Sequence, residues 1–262
     1  MRFPFLSGTT SYIIENDLIH NALFLSEYVD DIELVLFENE GFSNIPSPSD
    51  IGRLKGVQEQ RSIGYTVHFP IDKKAGSQSL HERIGFIDSA KKIIELTLPL
   101  SPRAWLLHLE GVYPDASTRE IDQWKSWTQY TIEQLCDLCG DSSKIAIENL
   151  GYPWYWHLES AAQAGTSLCC DIGHLWLYFP ECWKEYCKAM LPHTSVIHLH
   201  GVNGDRDHTS LKYLDPAKLE SFLRIVKKYD YKGVITLEIF SEAEFFESIA
   251  ILDEVWKRVG PT

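Results

Sequence analysis

Eight short apolar runs punctuate the sequence, and each is followed by a stretch with helical periodicity. The runs are FPFLSGTT, DIELVLFE, YTVHFP, AWLLHLEG, KIAIENL, SLCCDIG, SVIHLHGV and GVITLEIF. Their lengths and β-branched content fit strands. Residues 19–29, 49–61, 79–98, 118–138, 154–164, 180–190, 216–229 and 243–259 carry the intervening helical pattern. Cap chemistry marks some of the starts: Thr118 precedes Glu120, and Asp215 precedes Pro216 at a first helical position. Eight βα units within 262 residues match the arithmetic of a (β/α)8 TIM barrel. A doubly wound open sheet is the competing architecture. It normally needs G-x-G-x-x-G after its first strand, and GTTSY does not supply it. No linker rich in Pro, Gly or Ser divides the chain, so residues 1–262 read as a single barrel domain.

Charge and composition remove several partner classes. The net charge of -13 repels a phosphate backbone, so duplex nucleic acid is a poor substrate. No apolar run approaches the roughly 18 residues that cross a bilayer, so no membrane partner is expected. MRFPFLSGTT lacks the h-region and cleavage site of a secretory signal. Among the six cysteines, Cys136 and Cys139 form one CxxC inside a helical pattern with no second pair. It reads as helix packing rather than a metal or redox site. The set fits a reducing compartment, and the expected location is the cytoplasm.

The chemistry lies at the strand ends. In (β/α)8 barrels the active site forms at the C-terminal ends of the strands. Here strand three ends at His68. Strand four ends at His108, with Glu110 close behind. Strand five ends at Glu148 and Asn149, and strand six at Asp171, with His174 three residues on. Strand seven carries His198 and His200, then Asp207 and His208. Strand eight ends at Glu238. Any one of these residues alone reads as an ordinary buried hydrogen-bonder. Six consecutive strands bringing imidazoles and carboxylates to one axis do not, because buried charges are costly unless paired or bound to metal. This donor set suits zinc, manganese or iron. The expected cofactor is a divalent metal, zinc or manganese, in one to three ions. On strand seven, His198 and His200 share a face because they are two residues apart. The reading puts His200 in the barrel mouth as a ligand and His198 one layer deeper, supporting the ligands.

The loops after strands five and six, GYPWYWH and HLWLYFPECW, are rich in aromatics. Trp154, Trp156 and Trp176 are candidate walls for a large planar ligand, and the alternative is that they pack helices onto the barrel. Arg206 and Lys212 flank the strand-seven residues and are candidate phosphate holders, with a solvated loop charge as the alternative.

The motifs IEN at Glu148, CDIGH with Asp171 and His174, HLHGVNGDRDH and TLEI at Glu238 make the chain resemble the xylose isomerase-like TIM barrel superfamily. That superfamily includes sugar isomerases and epimerases and the apurinic endonucleases of AP endonuclease family 2. The resemblance implies a central metal held at the positions of Glu148, Asp171, His200 and Glu238. It also implies that His68, His108, Asp207 and His208 match the additional ligands of the endonuclease type, which spaces its Asp and His by one residue where here they are adjacent. Within the superfamily, GTTSYII, VDDIELVLFE, YTVHFP and LHLEG resemble the cobamide-remodelling phosphodiesterases. The function this implies is metal-dependent hydrolysis of a small-molecule phosphodiester, the nucleotide loop of a cobamide. Glu148, Glu238 and His174 would be the catalytic groups. The alternative is a sugar or sugar-phosphate isomerase or epimerase, in which Glu148 and Glu238 shuttle protons beside one metal. A non-catalytic metal or corrinoid binder is a third class, and the intact ligand set argues against it.

Overall fold

The computed structural model describes residues 3–39 and 41–260. Eight parallel strands close into one barrel: β1 (Leu6–Thr10), β2 (Asp31–Val35), β3 (Gly64–His68), β4 (Trp105–His108), β5 (Ile145–Glu148), β6 (Ser167–Asp171), β7 (Thr194–Leu199) and β8 (Val234–Leu237). Each strand pairs with its sequence neighbours, and β8 closes on β1 from Leu6 opposite Val234 to Thr9 opposite Leu237. The helices are α1 (Leu18–Leu25), α2 (Pro48–Arg61), α3 (Leu80–Thr97), α4 (Thr118–Cys139), α5 (Tyr155–Ala164), α6 (Ile172–Tyr178), α7 (Trp183–Met190), α8 (Pro216–Lys228) and α9 (Glu242–Val259). The expected (β/α)8 barrel is therefore what the chain forms. None of these helices is long and apolar enough to cross a membrane.

Period-2 alternation on each strand divides the core into two layers. Outward-facing residues such as Trp105, Ile147 and Ile197 join Trp124, Phe222 and Phe245 from the helices in the large core between barrel and helices. Inward-facing Leu106, Ala146, Cys169, Val196 and Val234 form a separate cluster inside the barrel. Two residues further along the same strands, on the same face, stand His108, Glu148, Asp171 and His198. The apolar plug is thus the floor on which the polar site rests. Strand register does the rest: His108 is opposite Glu148, and Asp171 is opposite His198.

Local details differ from the sequence expectation. The α4 cap is Ser117 rather than Thr118; its side chain accepts from the Glu120 N–H, and Glu120 returns the bond in a capping box. Asp215 caps α8 ahead of Pro216, as expected. Asp171 ends β6 and also caps α6, a helix that the sequence did not announce because its residues read as an aromatic loop. The segment after β7 is a hairpin, Gly201–Asn203 paired with Arg206–Thr209, where a loop was expected.

His157 on α5 has a consequence for acid stability. It is fully buried, and neither ring nitrogen has a hydrogen-bond partner. Burial pushes its imidazole down to about 3, against a small opposing pull from Glu148. An unfolded histidine titrates near pH 6.5. Between those values the unfolded chain binds a proton that the folded chain refuses. This stability is present above about pH 6.5 and is lost as pH falls, at about 1.4 kcal/mol per unit. By about pH 4.5 the loss reaches roughly 3 kcal/mol. In His157→Leu, urea unfolding should show a correspondingly smaller loss between neutral and acid pH. Equal losses in variant and parent would exclude His157 as the cause.

Candidate metal centre

Glu148 stands at the centre of the mouth. Its Oε2 lies 3.2 Å from His108 Nε2, 3.3 Å from His198 Nδ1 and 3.5 Å from His68 Nε2, and its Oε1 lies 3.5 Å from His174 Nδ1. Glu238 Oε2 lies 3.0 Å from His198 Nδ1 and 3.1 Å from His208 Nε2. Among the described residues four groups of donors follow, the ligand atoms of each lying within 4.8 Å of one another: His68, His108 and Glu148; Glu148, Asp171, His198 and Glu238; Asp171, His174, His200 and His208; and Glu148, Cys169 and His198, which overlaps the second. Asp207 borders the third group, 3.0 Å from His208 Nδ1 and 3.7 Å from His174 Nε2.

Both strand-seven histidines stand among the donors, His198 in the central group and His200, expected there, in the outer one. The member of the central four-residue group is His198, not His200. His200 Nε2 is 3.3 Å from both carboxylate oxygens of Asp171, and its Nδ1 lies 3.0 Å from the His208 backbone N–H. Both of its nitrogens therefore have protein partners. His198 Nε2 contacts Glu33 Oε2 at 2.9 Å, while its Nδ1 is buried without a hydrogen-bond partner. Glu33 thus orients His198 as a carboxylate orients a ligating imidazole. Gly173 of the CDIGH motif leaves room for His200: a Cβ there would lie 2.1 Å from His200 Cε1.

Sequence reading missed Glu33, which is fully buried in mid-strand rather than at a strand end. The available signal was a charged residue between Ile32 and Leu34 in an otherwise apolar run. His208 adopts a left-handed backbone, φ 50°, in the β7 hairpin. That conformation is uncommon for a residue with a side chain and marks a position under constraint.

The aromatic and basic candidates sit elsewhere. Trp156 and Trp176 are buried behind the barrel: Trp156 packs near Tyr152 and Trp124, and Trp176 on Trp183 and Phe222. Trp154 packs on Tyr186. None of the three lines the mouth, so the expected tryptophan wall is replaced by Phe37, Ile71, Leu150 and Phe240, which border the site in a cavity of about 360 Å³. Lys212 is paired with Glu247 at 3.1 Å, and Arg206 is exposed on the hairpin; neither lines that cavity.

Electrostatics show what the cluster lacks. Burial opposes the charged form of His108, but Glu148 and Glu110 outweigh it and push the imidazole up to about 10. Against the same opposition from burial, Asp171 and other acids raise His174 to about 9, and Glu238 and other acids raise His208 to about 10. Glu148 and Glu238 are held well below the carboxylate range, because His108, His198 and His208 outweigh the cost of burying them. The carboxylates thus demand positive charge. His108 Nε2, both Glu148 carboxylate oxygens, His198 Nδ1 and Glu238 Oε2 are buried with no hydrogen-bond partner. Orphaned imidazole and carboxylate donors facing one point fit a divalent cation.

The sequence matches the family described as "Xylose isomerase-like TIM barrel" over residues 29–255, and the chain belongs to that family. No curated protein matches it. Among solved structures it is similar to a D-tagatose 3-epimerase-like protein, with 19% identity, a TM-score of 0.81 and coverage of 97% of this chain and 98% of the other. The 3-keto-D-glucoside 4-epimerase of E. coli gives 12% identity, a TM-score of 0.74 and coverage of 97% and 99%. A xylose isomerase domain protein from Planctomyces limnophilus gives 14% identity, a TM-score of 0.74 and coverage of 98% of each chain. At these identities the likeness is one of fold.

Proposed function

We propose that the chain is a metal-dependent phosphodiesterase acting on a small molecule. One observation carries this reading: Glu148 joins the His68–His108 group to the central group, and Asp171 joins the central group to the outer histidines. A string of ligand groups sharing carboxylates suits a cluster of two or three ions, zinc or manganese by donor type. Such ions, when bound, stabilise charge on the phosphoryl oxygens and make water acidic enough to attack near neutral pH. Glu148, His68 and His108 would hold one ion; Glu148, Asp171, His198 and Glu238 a second; Asp171, His174 and His208 a third, with His200 steadying Asp171.

The chain's own groups have further roles. Glu238, at the mouth, is the group we assign to position the attacking water, through the carboxylate oxygen not given to the ion. His174, bordered by Asp207, orients a non-bridging oxygen. Phe37, Ile71 and Phe240 exclude bulk water from the reacting phosphate. The segments that resemble cobamide-remodelling enzymes name the substrate class, a cobamide nucleotide loop, and the acidic surface disfavours DNA.

The second reading is a sugar isomerase or epimerase. The names of the similar solved structures favour it, since those cited are epimerases or isomerase-like and none is a phosphodiesterase. Glu148 and Glu238, both within 3.3 Å of His198 Nδ1, would then be the proton-shuttling pair. That chemistry gives no work to His68 and His108.

A parallel assay separates the readings. Protein stripped by chelation and reloaded with zinc or manganese is offered a cobamide, a duplex with an abasic site, and a ketohexose. The expected result is cleavage of the cobamide with little action on the duplex. Epimerisation of the sugar without phosphodiester cleavage would overturn the proposal. Faster cutting of the duplex than of the cobamide would overturn the substrate class.

A further inference from the structure

The cavity over the candidate metal centre does not end there. Glu110 and Leu150 line it and also line a second cavity of about 400 Å³. The two lobes therefore adjoin at Glu110 and Leu150, and each has the volume of a small-molecule site. His68, His108, His174, His208 and Glu238 of the ligand groups line the first lobe. The second holds none of the strand-end histidines; its walls include Val112, Tyr113, Tyr152 and Tyr178, with Lys74 at its edge.

Three features of the second lobe point to a ligand. Tyr113 is 72% exposed and Tyr178 49% exposed, leaving two aromatic rings open to solvent beside the site. Tyr178 also packs on His174, ring centroids 5.8 Å apart, which ties this wall to the ligand groups. Tyr152, on the inner side, is buried and its hydroxyl has no hydrogen-bond partner. A buried hydroxyl without a partner is costly unless something supplies one. Lys74 is the one lysine or arginine lining either lobe, and it makes no ion pair among the described residues. In a chain of net charge -13, a cation outside any ion pair, at the edge of a lobe that adjoins the ligand groups, suits an anion that reaches from one lobe to the other.

We propose that the second lobe is the subsite for a planar aryl or heteroaryl group carried on the phosphate. Tyr113 and Tyr178 would flank its ring, and Lys74 would meet the phosphate as it leaves the first lobe. The inference rests on the phosphodiesterase reading and deepens it: one arm of the diester lies over Phe37 and Phe240, and the arm bearing the ring lies in the second lobe. A monosaccharide fills one lobe and leaves the other without use.

Binding is the test, with zinc-reloaded protein titrated calorimetrically with methylphosphonate and 2-naphthylphosphonate, whose P–C bonds do not hydrolyse. The parent should bind the naphthyl probe about tenfold more tightly than the methyl probe, the worth of one good aromatic contact pair. The double variant Tyr113→Ala/Tyr178→Ala should bring that ratio close to one, with any loss common to both probes reporting the lost packing of Tyr178 on His174. Both side chains are exposed, so folding is not at stake, and an unchanged thermal midpoint checks this. Lys74→Ala should weaken both probes by a similar factor. A tenfold preference that survives the double tyrosine variant but falls in Phe240→Ala would place the ring in the first lobe and overturn the inference alone. So would methylphosphonate binding with no gain for the naphthyl group. Failure of both probes to bind would remove this inference and the phosphodiesterase reading together.

Discussion

Glu148→Gln should lower kcat/KM by about a thousandfold or more while leaving the barrel folded. The loss of several kcal/mol of charge stabilisation corresponds to that factor. The amide keeps the shape of the side chain but loses the charge that joins two donor groups. Without metal, His108 and His198 compensate that buried charge, so its removal leaves two imidazoles short of their partner. The variant should therefore melt below the metal-free parent yet remain folded at assay temperature, and circular dichroism with a steady-state assay checks both halves. Activity within about tenfold of the parent would show that Glu148 does not hold the reacting centre together.

The second large effect is on stoichiometry. His68→Ala/His108→Ala should lower bound metal by about one equivalent per chain, read by elemental analysis after reloading. The two rings meet edge to face at 4.8 Å, and their Nε2 atoms lie 3.5 and 3.2 Å from the same Glu148 oxygen. His68 is fixed by a hydrogen bond between its Nδ1 and the Phe69 carbonyl, 2.7 Å, which leaves Nε2 for the site. Phosphodiester cleavage should fall with the lost ion. Unchanged metal content would remove the His68–His108 site and move weight to the epimerase reading.

The barrel was legible because strand and helix leave different periods in a sequence, and eight alternations fit few architectures. The strand-end residues were legible for the same reason, since a polar group closing an apolar run stands out. Depth along a strand was not. His198 and His200 share a face, and only the pairing of Asp171 with His198 shows which of them stands level with Glu148 and Glu238. Glu33 escaped notice because nothing in DIELV separates a carboxylate that faces a ligand from one that faces solvent. The tryptophans misled because an aromatic ring suits a helix interface as well as a ligand wall, and burial decides between the two. Phe37 and Phe240, which do line the mouth, look in sequence like ordinary core residues.

Carboxylates held in common make the three donor groups a linked system rather than three independent binders. An ion at the central position draws electron density from Glu148 and Asp171 and so changes what each outer group can offer. By reciprocity, an ion in either outer group changes the affinity of the central one by the same factor. Loading should then follow an order, with the central position and its three carboxylates filling first and the flanking positions filling against rising mutual repulsion. Such a chain can act as a graded device. The metal supply around it would set how many ions it carries, and hence which chemistry the same barrel mouth is equipped to perform.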